Sequence, residues 1–193
     1  MSNISLFCTK TEFIRAKVSL NAEILLMNST KTLLILRHAK SSWDFPELSD
    51  HDRPLNNRGK RDAPRIGTKL LKEGLIPQLI ISSPAVRAYS TAEKVSKACG
   101  YDGEIIVRSS LYGSGYSEYL NALQIQNDRY GIIMIVGHNP YSEQLLEVLT
   151  GKMITMPTCT VACVKLRIRN WKEVNTRTKG ELVSIWRPKE LRP

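Results

Sequence analysis

The chain alternates between short unbroken apolar runs and longer stretches in which apolar positions recur with helical spacing. Thr32–Arg37 (TLLILR), Gln78–Ser82 (QLIIS), Glu104–Arg108 (EIIVR) and Gly131–Val136 (GIIMIV) are the apolar runs. Runs of this length predict strands buried on both faces. Between them, Asn57–Glu73, Pro84–Ala98, Tyr116–Gln126 and Pro140–Leu149 read as helices. In the third, Tyr116, Tyr119, Leu120 and Leu123 fall at i, i+3, i+4 and i+7, which is one helix face. Pro84 and Pro140 stand where a helix begins, a position that tolerates a missing amide hydrogen. Pro64 predicts a kink or a late start in the first helix. Two more strands, Thr158–Arg169 and Glu181–Arg187, follow, joined by a polar turn near Asn175–Gly180. This order predicts a three-layer α/β/α sandwich around a mostly parallel sheet, with some antiparallel pairing toward the C-terminus.

A chain of 193 residues suits one domain with an appendage. Residues 1–30 contain no Gly or Pro and mix isolated charges with short apolar pieces such as Ile24–Leu26. They lack the long apolar core and small-residue cleavage site of a secretory signal, and Glu12 and Glu23 are out of place in an organelle-targeting peptide. Met27 stands just ahead of the first strand. The expected division is an extension of unknown role over 1–30 and a domain over 31–193. No apolar run reaches the roughly 18 residues of a spanning helix. A soluble, cytoplasmic protein without a membrane partner is expected, with organelle targeting by residues 1–30 as the alternative.

Charge narrows the partners. Lys and Arg total 28 against 18 acidic residues, a formal net charge of +10, which favours an anionic partner: nucleic acid, a membrane surface or a phosphorylated substrate. The basic run Lys165, Arg167, Arg169, Lys172, Arg177 and Lys179, with Trp171 inside it, is expected to guard an edge strand against aggregation rather than to bind nucleic acid. Cys8, Cys99, Cys159 and Cys163 are too few and too scattered for a disulfide scaffold. Cys159, Val161 and Cys163 fall on one face of a predicted strand and read as packed thiols.

Ligands of open α/β sheets bind beyond the C-terminal strand ends. The first strand delivers Arg37 and His38, the second Ser82–Arg87, and the fourth Gly137, His138, Asn139 and Pro140. Two of the three histidines and two arginines therefore converge on one edge. Arginine presents a planar donor fork that matches phosphate oxygens, a neutral histidine is a nucleophile toward phosphorus, and a second, protonated histidine holds an oxygen. Phosphoryl transfer asks mainly for positioning and charge stabilisation, so this set suffices without metal or cofactor. Three histidines without ligand-spaced partners do not suggest zinc, Gly151-Lys152 is not a P-loop, and Gly113-Ser114-Gly115 is not a nucleophile elbow. His51 reads as a surface loop residue.

These residues also carry a resemblance. LLILRHAKSSWD resembles the opening RHG motif of the histidine phosphatase superfamily, with Ala39 in place of Gly and Asp44 where many members have Asn. The segment Leu55–Gly59 is similar to the following L-T-x-x-G element, SSPAVRAYSTAE to S-S-x-x-x-R-A-x-x-T-A, and VGHNP to the closing V-x-H motif. The run SDHDRPLNNRG and the finish SIWRPKEL resemble the small SixA-like branch, associated with phosphohistidine phosphatases.

The resemblance implies a phosphoglycerate mutase-like fold and a metal-independent phosphatase. His38 would be the nucleophile that becomes phosphorylated, with Arg37, Arg87 and His138 forming the phosphate pocket. Arg53 would reach the substrate, assisted by Asn139 and Ser41. Longer members protonate the leaving group with a carboxylic acid, for which the candidates are Glu118 and, in the loop after His38, Asp44, Asp50 and Asp52, each of which also reads as a solvated carboxylate or an arginine partner. The absence of a clear acid suits phosphohistidine in a protein, whose imidazole leaves readily once protonated. A small-molecule phosphomonoesterase, or a phosphate-binding module with little turnover, is the alternative. The expected partners are thus a phosphorylated protein or a small phosphate, and not nucleic acid.

Overall fold

The computed structural model describes residues 30–191. The extension expected over residues 1–30 lies outside the described residues except for its last position, as does Cys8. The elements run β1 Lys31–Arg37, α1 Asn57–Lys72, β2 Leu79–Ser82, α2 Val86–Cys99, β3 Ile105–Val107, α3 Tyr116–Gln124, β4 Ile132–Gly137, α4 Tyr141–Thr150, β5 Val161–Leu166 and β6 Gly180–Trp186.

One six-stranded sheet has the order β3-β2-β4-β1-β5-β6. β1 to β4 are mutually parallel, while β5 runs antiparallel to both β1 and β6. Because side chains alternate across a strand, the apolar runs feed two cores. Leu33, Ile35, Ile81, Ile133 and Ile135 meet α3 and α4 through Tyr119, Leu123, Leu145, Leu146 and Leu149. Leu34, Leu36, Ile80, Met134 and Val136 meet α1 and α2 through Ala63, Ile66, Leu70, Ala92 and Val95. The predicted three-layer sandwich is the observed one. At the α1–α2 crossing only glycine fits at position 67, since a Cβ there would stand 2.5 Å from the Val95 carbonyl oxygen and 2.6 Å from Ala98 Cβ.

Several local expectations are corrected. α1 does not start late: the Asn56 side chain accepts from the Gly59 amide at 2.9 Å, the helix begins at Asn57, and it runs through Pro64. This cap and the buried face of Ile66 and Leu70 outweigh the hydrogen bond that proline removes. Pro84 lies two residues before α2, and Pro140 is the N-cap of α4, joined to Asn139 by a cis peptide. β3 is an edge strand whose residues are half-buried or exposed, so its apolar run did not mean burial on both faces. Lys165 lies on β5, an interior strand, and β6 is the edge; the basic run is not an edge guard there. Trp171 is fully buried, and its Nε1 donates to the Tyr130 carbonyl at 2.7 Å, as a core residue rather than a stacking platform for bases. Cys159 precedes β5 in the left-handed region, at φ 65°, yet packs in the same core as Val161 and Cys163. Cys99, Cys159 and Cys163 are buried free thiols.

Candidate active site

Strand register builds the site. Arg37 pairs with Gly137 across the central β1–β4 ladder, so the next residues, His38 and His138, leave adjacent strands side by side. The His38 amide donates to the Gly137 carbonyl at 2.9 Å. The two rings stand 5.0 Å apart, tilted by 53°. The Cys159 amide closes the end of β1, donating to the carbonyls of Arg37 and His38 at 3.1 and 3.0 Å.

The nucleophile candidate is fixed in one form. His38 Nδ1 lies 2.7 Å from the Ala39 carbonyl oxygen; a carbonyl only accepts, so Nδ1 carries the hydrogen and a neutral ring has its lone pair on Nε2. Burial, with the nearby His138, Arg87 and Arg37 adding to it, lowers the His38 pKa to about 3, against the pull of the Ala39 carbonyl. Thr91 holds the next peptide: its hydroxyl accepts from the Ala39 amide at 2.9 Å and donates to the Arg87 carbonyl at 2.6 Å. α2 thus sets both Arg87 and the backbone beside His38.

His138 is held from two sides. Its amide donates to the Tyr119 hydroxyl at 3.0 Å, and its Nε2 meets the Ser83 hydroxyl at 2.8 Å. Position 137 must be glycine, because a Cβ would land on that Tyr119 hydroxyl. Burial, then Arg87, lowers the His138 pKa to about 4. The protonated histidine expected from the sequence is therefore neutral in this structure. A dianionic phosphoryl group is the charge that would raise it.

Other expected site residues have taken structural duties. Arg53 donates from Nε to the Ser42 carbonyl at 2.9 Å, from Nη1 to Asp50 at 2.8 Å and from Nη2 to the Ser41 hydroxyl at 2.7 Å. It braces the loop after His38, and Ser41 is its partner. The Asn139 amide donates to Glu143 at 2.6 Å and to the Met156 carbonyl at 3.1 Å, the same carbonyl that accepts from Arg37 at 2.7 Å. Asp44 is exposed and takes the Ser42 hydroxyl at 2.6 Å. Glu118, in the first turn of α3, accepts from Asn121 at 3.0 Å along its own helix. Neither carboxylate makes a hydrogen bond or ion pair with a histidine among the described residues. Arg37 Nε, His138 Nδ1 and Asn139 Oδ1 are buried without a hydrogen-bond partner among the described residues, a cost that clusters where the chemistry would be.

Asp50, for which an arginine partner was one of the expected roles, and His51, expected as a surface loop residue, join the site, together with Tyr112, which had not been singled out. Asp50 pairs with both Arg53 and Arg87 at 2.8 Å and accepts from the Tyr112 hydroxyl at 3.0 Å. Against the upward push of burial, these partners hold its carboxyl below the usual range; it is an arginine clamp and not a proton donor at neutral pH. The Tyr112 ring meets His138 edge to face at 5.5 Å and His51 at 5.2 Å. His51 is at the rim rather than on remote surface, with Nδ1 donating to Asp52 at 2.7 Å. Ser83 and Thr91 stood inside the segment SSPAVRAYSTAE; Tyr112 had no signal in its local sequence.

Depressed histidine pKa values make stability depend on pH. The unfolded chain takes up protons near pH 6.5, whereas His38 and His138 resist until about 3 and about 4. Between those limits the unfolded state binds more protons, so stability is full above pH 6.5 and falls as the pH drops. Lowering the pH from 7.5 to 5.5 should cost roughly 1 kcal/mol per histidine. Urea unfolding midpoints of the wild type and the His38→Gln/His138→Gln variant check this; identical pH slopes would refute it.

The profile of the histidine phosphatase superfamily (branch 1) matches residues 33–119. An uncharacterized chloroplastic protein of Arabidopsis thaliana is 33% identical over 153 residues, covering 75% of this chain and 70% of its own. A structure assigned as phosphohistidine phosphatase SixA from Agrobacterium tumefaciens aligns with TM-score 0.70 and 27% identity, over 82% of this chain and 98% of that one. The structure of the protein histidine phosphatase SixA complexed with tungstate aligns with TM-score 0.71 over 83% and 99% of the two chains; at 21% identity it speaks for the fold. With the register-paired histidines between two arginines, these matches place the chain in the histidine phosphatase superfamily, in its SixA-like group.

Proposed function

We propose that the protein is a metal-independent phosphatase that removes the phosphoryl group from phosphohistidine in proteins through a phosphorylated His38. The observation that carries this reading is the neutral, tautomer-fixed His38 set between two arginines. In the first step Nε2 of His38 attacks phosphorus, a new N–P bond forms, and the substrate N–P bond breaks with its electron pair on the leaving imidazole. The other ring nitrogen of the substrate carries its proton beforehand, so the ring leaves as neutral imidazole with no proton delivered to it. In the second step water attacks the phosphorylated His38, releasing inorganic phosphate and restoring the imidazole. Arg37, Arg87 and His138 would neutralise charge on the phosphoryl oxygens. Arg53 and Asp50 would act through the wall, keeping Arg87 in place.

The leaving group follows from the acids. Asp50 is committed to two arginines, and Asp44 and Glu118 are engaged elsewhere. An alkyl ester needs a proton delivered to a poor leaving oxygen; an imidazole already protonated in solution leaves without one. This supports phosphohistidine over small phosphate esters. The tungstate-bound neighbour suggests that oxyanions of phosphate-like shape compete for the site.

The proposed catalytic unit is residues 31–193, with 1–30 as an extension, and the cytoplasm is its proposed location; the chloroplastic label of the Arabidopsis relative favours the alternative that the extension is an organelle address. Removal of residues 1–30 should leave hydrolysis within about twofold of the full chain, a change of under roughly 0.5 kcal/mol in barrier. Loss of folding on that removal, seen as an absent thermal transition, would make the extension part of the domain.

A phosphatase panel decides the function. Phosphohistidine protein should turn over at least about tenfold faster than sugar, nucleotide or aryl phosphates, His38→Ala should remove activity, and EDTA should have no effect. Turnover retained by His38→Ala would refute the nucleophile. Faster hydrolysis of sugar phosphates would assign a phosphomonoesterase instead.

A further inference from the structure

Trp43 is 71% exposed, Phe45 45% and Leu48 38%. Three of the nine large apolar residues exposed among the described residues thus fall within six positions of one loop, the loop that begins after the nucleophile and ends at Arg53. Clustered exposure of this kind marks a contact surface. Trp43 is also held in place: the Arg53 guanidinium sits 3.2 Å from the centre of its ring, and Arg53 is itself fastened by Ser41, Ser42 and Asp50. The outer face of the indole is therefore presented by a braced residue, at low cost in side-chain entropy on contact.

Beside this loop lies a groove of about 470 Å³ whose walls include Ser42, Phe45, Asn57, Arg58, Lys60 and Arg61. Its one carboxylate, Asp44, is occupied by the Ser42 hydroxyl at 2.6 Å. The first turn of α1 carries no acidic residue, so the positive end of the helix adds to three cations. Arg58 stands 3.9 Å from Asp62, while Lys60 and Arg61 have no ionic partner among the described residues. A chain of polar contacts links the groove to the phosphate pocket: the carbonyl of groove residue Ser42 supports Arg53, whose partner Asp50 holds Arg87.

We propose that the Trp43–Phe45 loop and the start of α1 form a docking surface for an acidic segment of a phosphorylated protein. The aromatic pair takes the apolar part of the segment, and Lys60 and Arg61 take its carboxylates. A small phosphate bound in the pocket carries no apolar or carboxylate groups for Phe45, Lys60 and Arg61 to engage, so the surface selects for protein substrates. The proposal rests on the reading of this protein as a protein phosphohistidine phosphatase, and deepens it.

Two synthetic peptides of equal length, each with one phosphohistidine, one flanked by glutamates and the other by lysines, test the surface. Affinity is read by fluorescence anisotropy with His38→Ala protein, in which the phosphoryl group stays on the peptide. Hydrolysis is read separately with the wild type, so that failure of turnover bears on the phosphatase reading and failure of binding selectivity on the docking surface. The glutamate peptide should bind about tenfold more tightly at low salt, less so at high salt. Lys60→Glu/Arg61→Glu in the His38→Ala background should erase that preference, and Phe45→Ser should weaken binding of the glutamate peptide several-fold. In otherwise wild-type protein neither change should alter hydrolysis of phosphoramidate, which reaches only the pocket. Equal affinity for the two peptides, loss of phosphoramidate hydrolysis in the Lys60/Arg61 variant, or binding of a single-stranded oligonucleotide as tight as that of the glutamate peptide would each overturn the proposal.

Discussion

A neutral imidazole held among cationic guanidinium groups is the constraint around which this protein is arranged. Left in water, a histidine beside other groups can take either tautomer and titrates near pH 6.5. Here the Ala39 carbonyl fixes the hydrogen on Nδ1 of His38, and burial with Arg37, Arg87 and His138 nearby keeps the ring uncharged. The same cations that disfavour a proton on His38 favour an incoming dianion. In the proposed reaction, one electrostatic arrangement would therefore both keep His38 a nucleophile and draw the group it attacks.

Holding that arrangement falls to the sheet. β1 and β4 are central, parallel and in register at Arg37 and Gly137, which sets the two histidines at one height on neighbouring strands. The strand residues leading to them are fully buried on both faces, Leu33 to Leu36 and Ile133 to Val136, so the strand ends are anchored by two cores rather than by loop packing. Around this fixed pair, α2 contributes Arg87 and Thr91 from one face of the sheet and α3 contributes Tyr119 from the other. The loop after His38 is held by Arg53 and Asp50.

What could be read from the chain was what local pattern controls. Unbroken apolar runs gave β1, β2 and β4 within a residue or two, because those strands are buried on both faces; the same rule misjudged β3, because edge position depends on the order in which strands pair. His38, His138, Arg37 and Arg87 were visible because strand ends in this architecture face one crevice. Arg53 and Asn139 were read as substrate ligands, but nothing local says that Asp50, Ser41, Glu143 and Met156 will come to engage them. Tyr112 was missed for the same reason: it follows a short 3₁₀ turn at Ser109–Leu111 and reaches Asp50 from 62 positions away. The uncertainty over the acid had a physical source too, since a carboxylate's role depends on its partners, and Asp50 acquires three of them only in the fold.

The most direct test of the central claim is nitrogen-15 NMR of the imidazole rings across a pH series in the phosphate-free protein. The account predicts that His38 shows a protonated Nδ1 and an unprotonated Nε2, unchanged down to pH 5. A His38 that titrates near pH 6.5, or one that carries its hydrogen on Nε2, would contradict it.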